Sequence, residues 1–239
     1  MCLRIHLCSG PRNVSTALMY SFAQRPDTHV IDEPLYAHYL RSTGASHPGR
    51  DEILATMEHS GEKVVQETLL EPCDHPILFV KNMGHHLIDL DWGFLDQMTT
   101  VILIRDPEQM LPSLINQVPR PELADTALAM QRKVFDYLTH RGKSPCVLDA
   151  REVLTDPEKI LRNLCSELGI NFDPIMLHWE AKPIPEDGVW APHWYHVLHK
   201  STRFAPYTHK SAPFPDFLRP LLNECIPYYN YLYHHALKA

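Results

Sequence analysis

Short apolar stretches recur along the chain, and each one is followed by a turn or by helical spacing of apolar residues. Apolar runs of about four to eight residues are typical of β-strands covered on both faces. The predicted strands are Leu3–Leu7, Thr28–Asp32, Ile77–Val80, Val101–Ile104 and Cys146–Asp149. Helices are predicted to begin at Ser15 and at Pro107 and to cover Asp51–His59, Glu122–Arg141, Asp156–Leu168 and Asp216–Leu237, with interruptions at Pro220 and Pro227. Strands that alternate with helices predict an α/β fold, a parallel sheet flanked by helices in three layers.

The loop after the first strand has the composition of an anion site. Gly10-Pro11 ends the strand, and Ser15-Thr16 opens the helix. Backbone N–H groups and the positive end of the helix dipole would meet there, and Arg12 adds a positive charge. A Walker loop has Gly and Lys before its Ser/Thr, whereas Val14 and Ser15 stand at those positions here. The loop therefore predicts an oxyanion site or, as the plainer interpretation, a structural strand–helix turn.

Polar residues also follow the second, third and fourth strands, at the edge where α/β sheets bind ligands. Glu33 is a candidate acid or base, and His85 or His86 could accept a proton near neutral pH. Arg105 could hold a second phosphate together with Ser113 on the following helix. Each candidate also has a plainer interpretation. Glu33 could be an exposed carboxylate at a strand end, and His85 and His86 could be structural. Arg105 could simply form an ion pair with Asp106.

Two segments without strand patterning, residues 36–61 and 174–215, are predicted to form a lid and a cap over the strand ends. Within the second, Lys200, Ser201 and Arg203 are further candidates for anion binding. No metal is expected. The histidines of this segment are spaced three residues apart, which does not place them on one helix face, and no cysteine or carboxylate cluster joins them.

Length and charge narrow the class of protein. The 239 residues, of which 44% are hydrophobic, predict a single domain over residues 1–239. A net charge of −7 argues against nucleic acid and anionic membranes as partners. No leader or membrane-length apolar run is evident, and the six cysteines lack paired spacing, so a cytoplasmic protein is expected. The Tyr-rich final helix is explained equally well by core packing and by a contact between copies of the chain.

The loop Gly10-Pro11-Arg12-Asn13-Val14-Ser15-Thr16 and the pair Arg105 and Ser113 together resemble the two cofactor motifs of the sulfotransferase family. That family has a variant of the P-loop kinase fold, and its donor is 3′-phosphoadenosine 5′-phosphosulfate (PAPS). Its first motif is of the Pro-Lys/Arg-x-x-Ser/Thr-Thr type, and its second is an Arg followed eight positions later by a Ser. Both spacings are met here.

The resemblance implies a role for each matching residue. Ser15 and Thr16 would bind the 5′-phosphate, Arg12 would lie near the bridging oxygen, and Arg105 with Ser113 would bind the 3′-phosphate. The chain also departs from the family. Val14 replaces a loop glycine, Met83 stands where cytosolic members have the His of Lys-x-His, and the family's C-terminal Gly-rich basic loop is absent, with Lys200 to Arg203 a loose substitute.

The function predicted from these motifs is sulfuryl transfer from PAPS to a hydroxyl or amine of a small-molecule acceptor, without a metal. Glu33, His85 and His86 remain alternative bases, with Glu33 matching a glutamate that other branches of the family use. Trp190, Trp194 and Tyr195 indicate an apolar or ring-bearing acceptor, with core packing as the plainer alternative. The alternatives are a small-metabolite kinase that uses ATP and Mg²⁺, and a non-catalytic nucleotide-binding protein.

Overall fold

A five-stranded parallel β-sheet forms the centre of the computed structural model, which describes residues 2–209 and 212–239. The strands are β1 Leu3–Ser9, β2 Thr28–Asp32, β3 Ile77–Met83, β4 Thr99–Ile104 and β5 Cys146–Asp149. Their order in the sheet is β2-β3-β1-β4-β5, and all neighbouring pairs are parallel. The predicted strands and the α/β fold are confirmed, and β1, β3 and β4 are longer than predicted.

Helices cover both faces of this sheet. The α-helices are α1 Ser15–Ala23, α2 Tyr36–Thr43, α3 Arg50–Thr56, α4 Gly61–Val64, α5 Pro107–Leu114, α6 Leu128–His140, α7 Ala150–Thr155, α8 Pro157–Glu167, α9 Ala191–Trp194 and α10 Arg219–His234. Turns of 3₁₀-helix occupy Gly84–Leu87, Trp92–Gln97, Leu123–Thr126, Pro174–Leu177, Leu198–Lys200 and Asp216–Leu218, and a π-helical turn occupies Val65–Leu69.

Two apolar layers hold the helices on the sheet. On one face, Val80 and Ile102 pack with residues of α5, α6 and α10. On the other, Ile5 and Phe79 pack with residues of α1 and α8. Because all the strands are parallel, their carboxyl ends meet at one edge, and the polar residues that follow β1 to β4 are gathered there.

The two predicted cap segments meet above this edge. Residues 36–61 contain α2 and α3, of which α2 was not predicted. Its buried side chains Tyr36 and Leu40 form a third apolar cluster with Trp190 and Tyr195 from the second segment. The segments are therefore joined to each other as well as to the sheet.

Two helix predictions are wrong in detail. Glu122–Arg141 is not one helix, because Ala127 has a φ of 61° and separates a 3₁₀ turn from α6. The helix α10 is not interrupted at its prolines. Pro220 lies in its first turn, where a missing N–H costs no hydrogen bond, and Pro227 is tolerated inside a helix whose apolar side packs on the sheet.

Within residues 2–209 and 212–239, no helix is both long enough and apolar enough to cross a bilayer. In the same residues, no group of three or more His, Cys, Asp or Glu side chains is arranged to hold a metal ion.

Candidate active site

A cavity of about 450 Å³ opens at the carboxyl ends of β1, β2 and β3. The loop after β1 forms one wall, with Gly10, Pro11, Arg12, Asn13, Ser15 and Thr16. The buried charges Glu33 and Lys81 face the cavity between the walls. Eight further lining residues carry aromatic or imidazole rings and are called the aromatic wall: Tyr36, Tyr39, His47, His85, His86, Trp190, Trp194 and Tyr195. The cavity thus places a polar loop, buried charges and an apolar surface within one small volume.

Hydrogen bonds to the backbone fix the loop after β1. The side chain of Asn13 donates from Nδ2 to the carbonyl oxygen of Leu103 at 3.0 Å and accepts from the N–H of Val14 at 2.9 Å. A side chain at Gly10 would bring its Cβ to 3.1 Å from the carbonyl oxygen of Thr126, so the loop passes close to the 3₁₀ turn Leu123–Thr126. Asn13 therefore ties the loop to β4, and its polar atoms serve the loop itself.

The loop leads directly into α1. Ser15 is buried and Thr16 is partly exposed, and both line the cavity in the first turn of the helix, where backbone N–H groups have no partner within the helix. Val14 does not line the cavity, and its side chain packs against the apolar layer on the α1 face of the sheet.

Two arginines converge beside this loop. Arg12 donates from Nε to Oγ of Ser113 at 2.9 Å, and Arg105 donates from Nη1 to the carbonyl oxygen of Arg12. Within the described residues, neither guanidinium forms an ion pair with a carboxylate. Asp106 instead caps α5 by accepting from the N–H of Glu108. Burial lowers the pKa of both arginines, and the charge of Arg12 lowers that of Arg105 further. Adjacent positive charges without a carboxylate partner are suited to an anion.

Glu33 lies directly after β2, with a positive φ of 42°. Its backbone N–H donates to the carbonyl oxygen of Lys81 at 2.7 Å, which holds the turn against β3. The residue is 8% exposed and yet lines the cavity. Burial raises the pKa of its carboxyl group, the charge of Lys81 opposes that effect, and the charge of Asp32 adds to it.

A buried ionic network surrounds Glu33, and the sequence motifs did not reveal it. Lys81 donates to Oδ1 of Asp32 at 2.8 Å, to the hydroxyl of Tyr195 at 3.0 Å, and to Oε1 of Glu33. Tyr195 in turn donates to Oδ2 of Asp32 at 2.7 Å and accepts from Nε1 of Trp190 at 3.0 Å. Burial alone would lower the pKa of Lys81, but the charges of Asp32 and Glu33 raise it well above its usual value. One sequence feature could have pointed to this network. Lys81 directly follows the apolar run of β3, and Asp32, its partner in register, ends β2.

His85 and His86 lie in the 3₁₀ turn after β3 and form part of the aromatic wall. His86 stacks on Tyr36 with ring centroids 5.0 Å apart, and His85 lies 4.8 Å from the ring of Tyr39. Burial lowers the pKa of His85 to about 3 and that of His86 well below its usual value. Nε2 of His86 is 3.9 Å from Oε2 of Glu33. Both imidazoles are therefore neutral at physiological pH.

The structure does not bring Lys200, Ser201 and Arg203 to this cavity. Ser201 donates to the carbonyl oxygen of Leu198 at 2.8 Å and accepts from Nε1 of Trp179 at 3.2 Å. Lys200 and Arg203 are exposed. Their residue types alone suggested an anion site, but the hydroxyl is used locally to fix a turn.

The fold and the cavity define an α/β domain with a polar loop after its first strand, and comparison with known proteins identifies its family. The chain belongs to the sulfotransferase domain family, whose model matches residues 3–236. This confirms the resemblance seen in the two loop motifs.

The similar proteins found are of two kinds. Branched-chain-amino-acid aminotransferase-like protein 2 of Arabidopsis thaliana is 43% identical over 95% of this chain and 41% of its own length. The chain thus spans about two fifths of the length of the curated relatives it matches. A sulfotransferase from Alicyclobacillus acidocaldarius has a TM-score of 0.56 at 12% identity, covering 99% of this chain and 98% of its own. The sulfotransferase domain of the Synechococcus PCC 7002 olefin synthase has a TM-score of 0.52 at 17% identity, covering 94% of each chain. These two structures share the fold with this chain.

Proposed function

We propose that this sulfotransferase domain transfers a sulfuryl group from PAPS to a hydroxyl or amine of a small-molecule acceptor. The observation that carries the proposal is the convergence of Arg12, Arg105 and Ser113 beside a cavity that also contains a buried carboxylate, Glu33. This arrangement pairs a site for an anionic donor with a group that can accept a proton.

The residues around the loop fit the donor, because two guanidinium groups lie there without a carboxylate partner among the described residues. Ser15 and Thr16 would hold the 5′-phosphate with the N-terminal turn of α1, and Arg105 and Ser113 would hold the 3′-phosphate. Ser113 accepts from Arg12, so its own hydroxyl proton can be donated to a phosphate oxygen. When bound, PAPS supplies the activated sulfuryl group. Arg12 would stabilise the charge that grows on the leaving phosphate.

Glu33 is the base in this proposal. One carboxylate oxygen is held by Lys81, and the other lies toward His86, 3.9 Å from its Nε2. The imidazoles of His85 and His86 are poor proton acceptors at neutral pH, because burial lowers their pKa values so far. The proton of the acceptor would therefore pass to the carboxylate.

The aromatic wall supports an apolar, ring-bearing acceptor. Tyr36 packs edge-on against Trp190 with ring centroids 5.2 Å apart and stacks on His86. Such surfaces recognise planar rings through offset and edge-to-face contacts. Residues 36–61 and 174–215 supply most of this wall and would act as the cap that selects the acceptor.

Ligand-dependent thermal unfolding tests the donor site. We expect adenosine 3′,5′-bisphosphate to raise the unfolding midpoint, because a ligand at 100 times its dissociation constant adds about 2.7 kcal/mol of stability. ADP lacks the 3′-phosphate that Arg105 and Ser113 would bind, so it should stabilise less. Stabilisation by ATP with Mg²⁺ instead would favour a kinase, and no stabilisation by any of these nucleotides would contradict the donor assignment.

A further inference from the structure

We propose that Lys81 is a positioning residue that acts through Glu33: Asp32 and Tyr195 hold its ammonium group, which fixes one oxygen of the Glu33 carboxylate and leaves the other free to accept the acceptor's proton. The inference rests on the proposed function, in which Glu33 is the base. It adds that Lys81 does not itself contact the sulfuryl group.

The hydrogen-bonding capacity of Lys81 is fully used within the network. An ammonium group has three N–H donors. The acceptors are Oδ1 of Asp32 at 2.8 Å, the hydroxyl oxygen of Tyr195 at 3.0 Å, and Oε1 of Glu33. The side chain is 1% exposed. Lys81 therefore has no donor left for a ligand oxygen unless one of these bonds is broken.

The partners of Lys81 are themselves held in place. Asp32 is the neighbour of Lys81 in register between β2 and β3, and its two carboxylate oxygens accept from Lys81 and Tyr195. Tyr195 is fixed further by the indole N–H of Trp190. Because each member has defined partners on rigid elements, the ammonium group cannot move far, and neither can the carboxylate oxygen that it binds.

The network also sets the charge around Glu33. Titratable groups face Glu33 from every element packed against it, namely Asp32, Tyr36, Lys81, His86 and Tyr195. Of these, Lys81 is the one positive charge, because burial keeps His86 neutral. Burial and Asp32 raise the pKa of Glu33, and Lys81 lowers it. Removing Lys81 would therefore raise the pKa of the Glu33 carboxyl group further and make it a weaker proton acceptor at a given pH.

The pH dependence of kcat/KM tests this role. In Lys81→Met we expect the acidic limb of the profile to move to higher pH by about one to three units, the usual effect of an opposite charge at this range. Lys63→Met, at an exposed lysine on α4, is the matched control and should leave the profile unchanged.

A double-mutant cycle separates this role from direct contact with the sulfuryl group. Lys81→Met should lower kcat by about 10² or more in the wild-type background, because general-base catalysis contributes about 10²–10⁴. In a Glu33→Gln background, Lys81→Met should lower kcat by less than about threefold, because the base that Lys81 positions is already absent. An equal loss in both backgrounds would overturn the inference and would place Lys81 on the sulfuryl group.

Two further readouts keep the outcomes distinct. The affinity for adenosine 3′,5′-bisphosphate should stay within about twofold of wild type in Lys81→Met, as calorimetry can measure, because Lys81 serves the base and not the nucleotide. If Lys81→Met does not fold, Lys81→Gln, which removes the charge but keeps a hydrogen-bond donor for the network, carries the test, and an unmoved acidic limb would overturn the inference. If the wild-type protein binds the nucleotide but transfers nothing, the proposed function fails. If it transfers and the profiles do not move, this inference alone fails.

Discussion

At the scale of single residues, the site depends on charges that have no ordinary partner. Arg12 and Arg105 come from the ends of different strands and meet without a carboxylate among the described residues, whereas the exposed Arg141 and Arg162 form ion pairs with Asp96 and Glu158. Leaving two guanidinium groups together is unfavourable unless an anion joins them. An anion bound beside the loop, as in the proposed donor site, would offset the repulsion between the two guanidinium groups.

We expect substitution of Glu33 to lower kcat and substitution of His86 mainly to raise KM. Glu33→Gln keeps the size of the side chain but cannot accept a proton, so kcat should fall by about 10²–10⁴. His86→Phe keeps a ring against Tyr36, and we expect its main effect to be a higher KM, with kcat lowered by less than about tenfold. Steady-state kinetics of both variants with the same acceptor would measure this. A larger loss of kcat in His86→Phe than in Glu33→Gln would move the role of base to the histidine.

Some of these residues were predictable from the sequence and others were not. Arg12, Glu33 and Arg105 could be predicted because each follows an apolar strand, and parallel strands bring their ends to one edge. Lys81 also follows a predicted apolar strand, but its role could not be predicted, because that role depends on contacts with Asp32 and with Tyr195, which is 114 residues away. Asn13 was assigned to the cofactor, yet its side chain binds the backbone of β4. The residue type shows which interactions a side chain can form, whereas its role depends on the partners that the fold brings to it.

At the scale of elements, one buried carboxylate, Asp187, joins the middle of the second cap segment to α1. Asp187 accepts from the hydroxyl of Tyr20 at 2.6 Å, from the N–H of Ile184 at 3.3 Å, and interacts with Nε2 of His199 at 2.9 Å. The side chain of Asp187 is 6% exposed. These contacts connect the chain on both sides of Trp190 and Tyr195 to α1, the helix that follows the loop after β1.

Replacing this carboxylate should destabilise the domain. Asp187→Ala leaves buried donors unsatisfied, so we expect the free energy of unfolding to fall by about 1–3 kcal/mol. Denaturant unfolding followed by circular dichroism would measure the change. Asp216→Ala is the control, because that carboxylate is 90% exposed and its pair with Arg219 contributes about 0–1 kcal/mol. Equal effects of the two substitutions would show that Asp187 does not anchor the cap.

Elements that depend on local sequence could be predicted, whereas elements that depend on packing against distant residues could not. The strands could be located because their apolar runs are local signals. The helix α2 was missed because its sequence, Tyr36-Ala37-His38-Tyr39-Leu40-Arg41-Ser42-Thr43, has weak helical character and is stabilised by packing of Tyr36 and Leu40 against the distant Trp190 and Tyr195. The continuity of α10 through Pro227 likewise depends on tertiary packing, which overrides local propensity.

At the scale of the whole molecule, a net charge of −7 coexists with a local positive site. The sheet makes this possible, because strand order β2-β3-β1-β4-β5 places the loops after β1 and β4 next to each other. The two curated relatives are more than twice this length, and a region of each matches this chain. The features proposed for sulfuryl transfer all lie within the residues that the family model matches.

The most direct test of sulfuryl transfer is to follow PAPS and an acceptor together by mass spectrometry. With a panel of small ring-bearing alcohols, phenols and amines, we predict that adenosine 3′,5′-bisphosphate and one sulfated product form in equal amounts without added metal. Arg12→Ala should lower the rate by about 10²–10³, the usual loss when a group that stabilises developing charge is removed. Arg162→Ala, at an exposed arginine on α8, is the control and should leave the rate unchanged. Tight binding of PAPS without any product, or near-normal turnover in Arg12→Ala, would contradict this account.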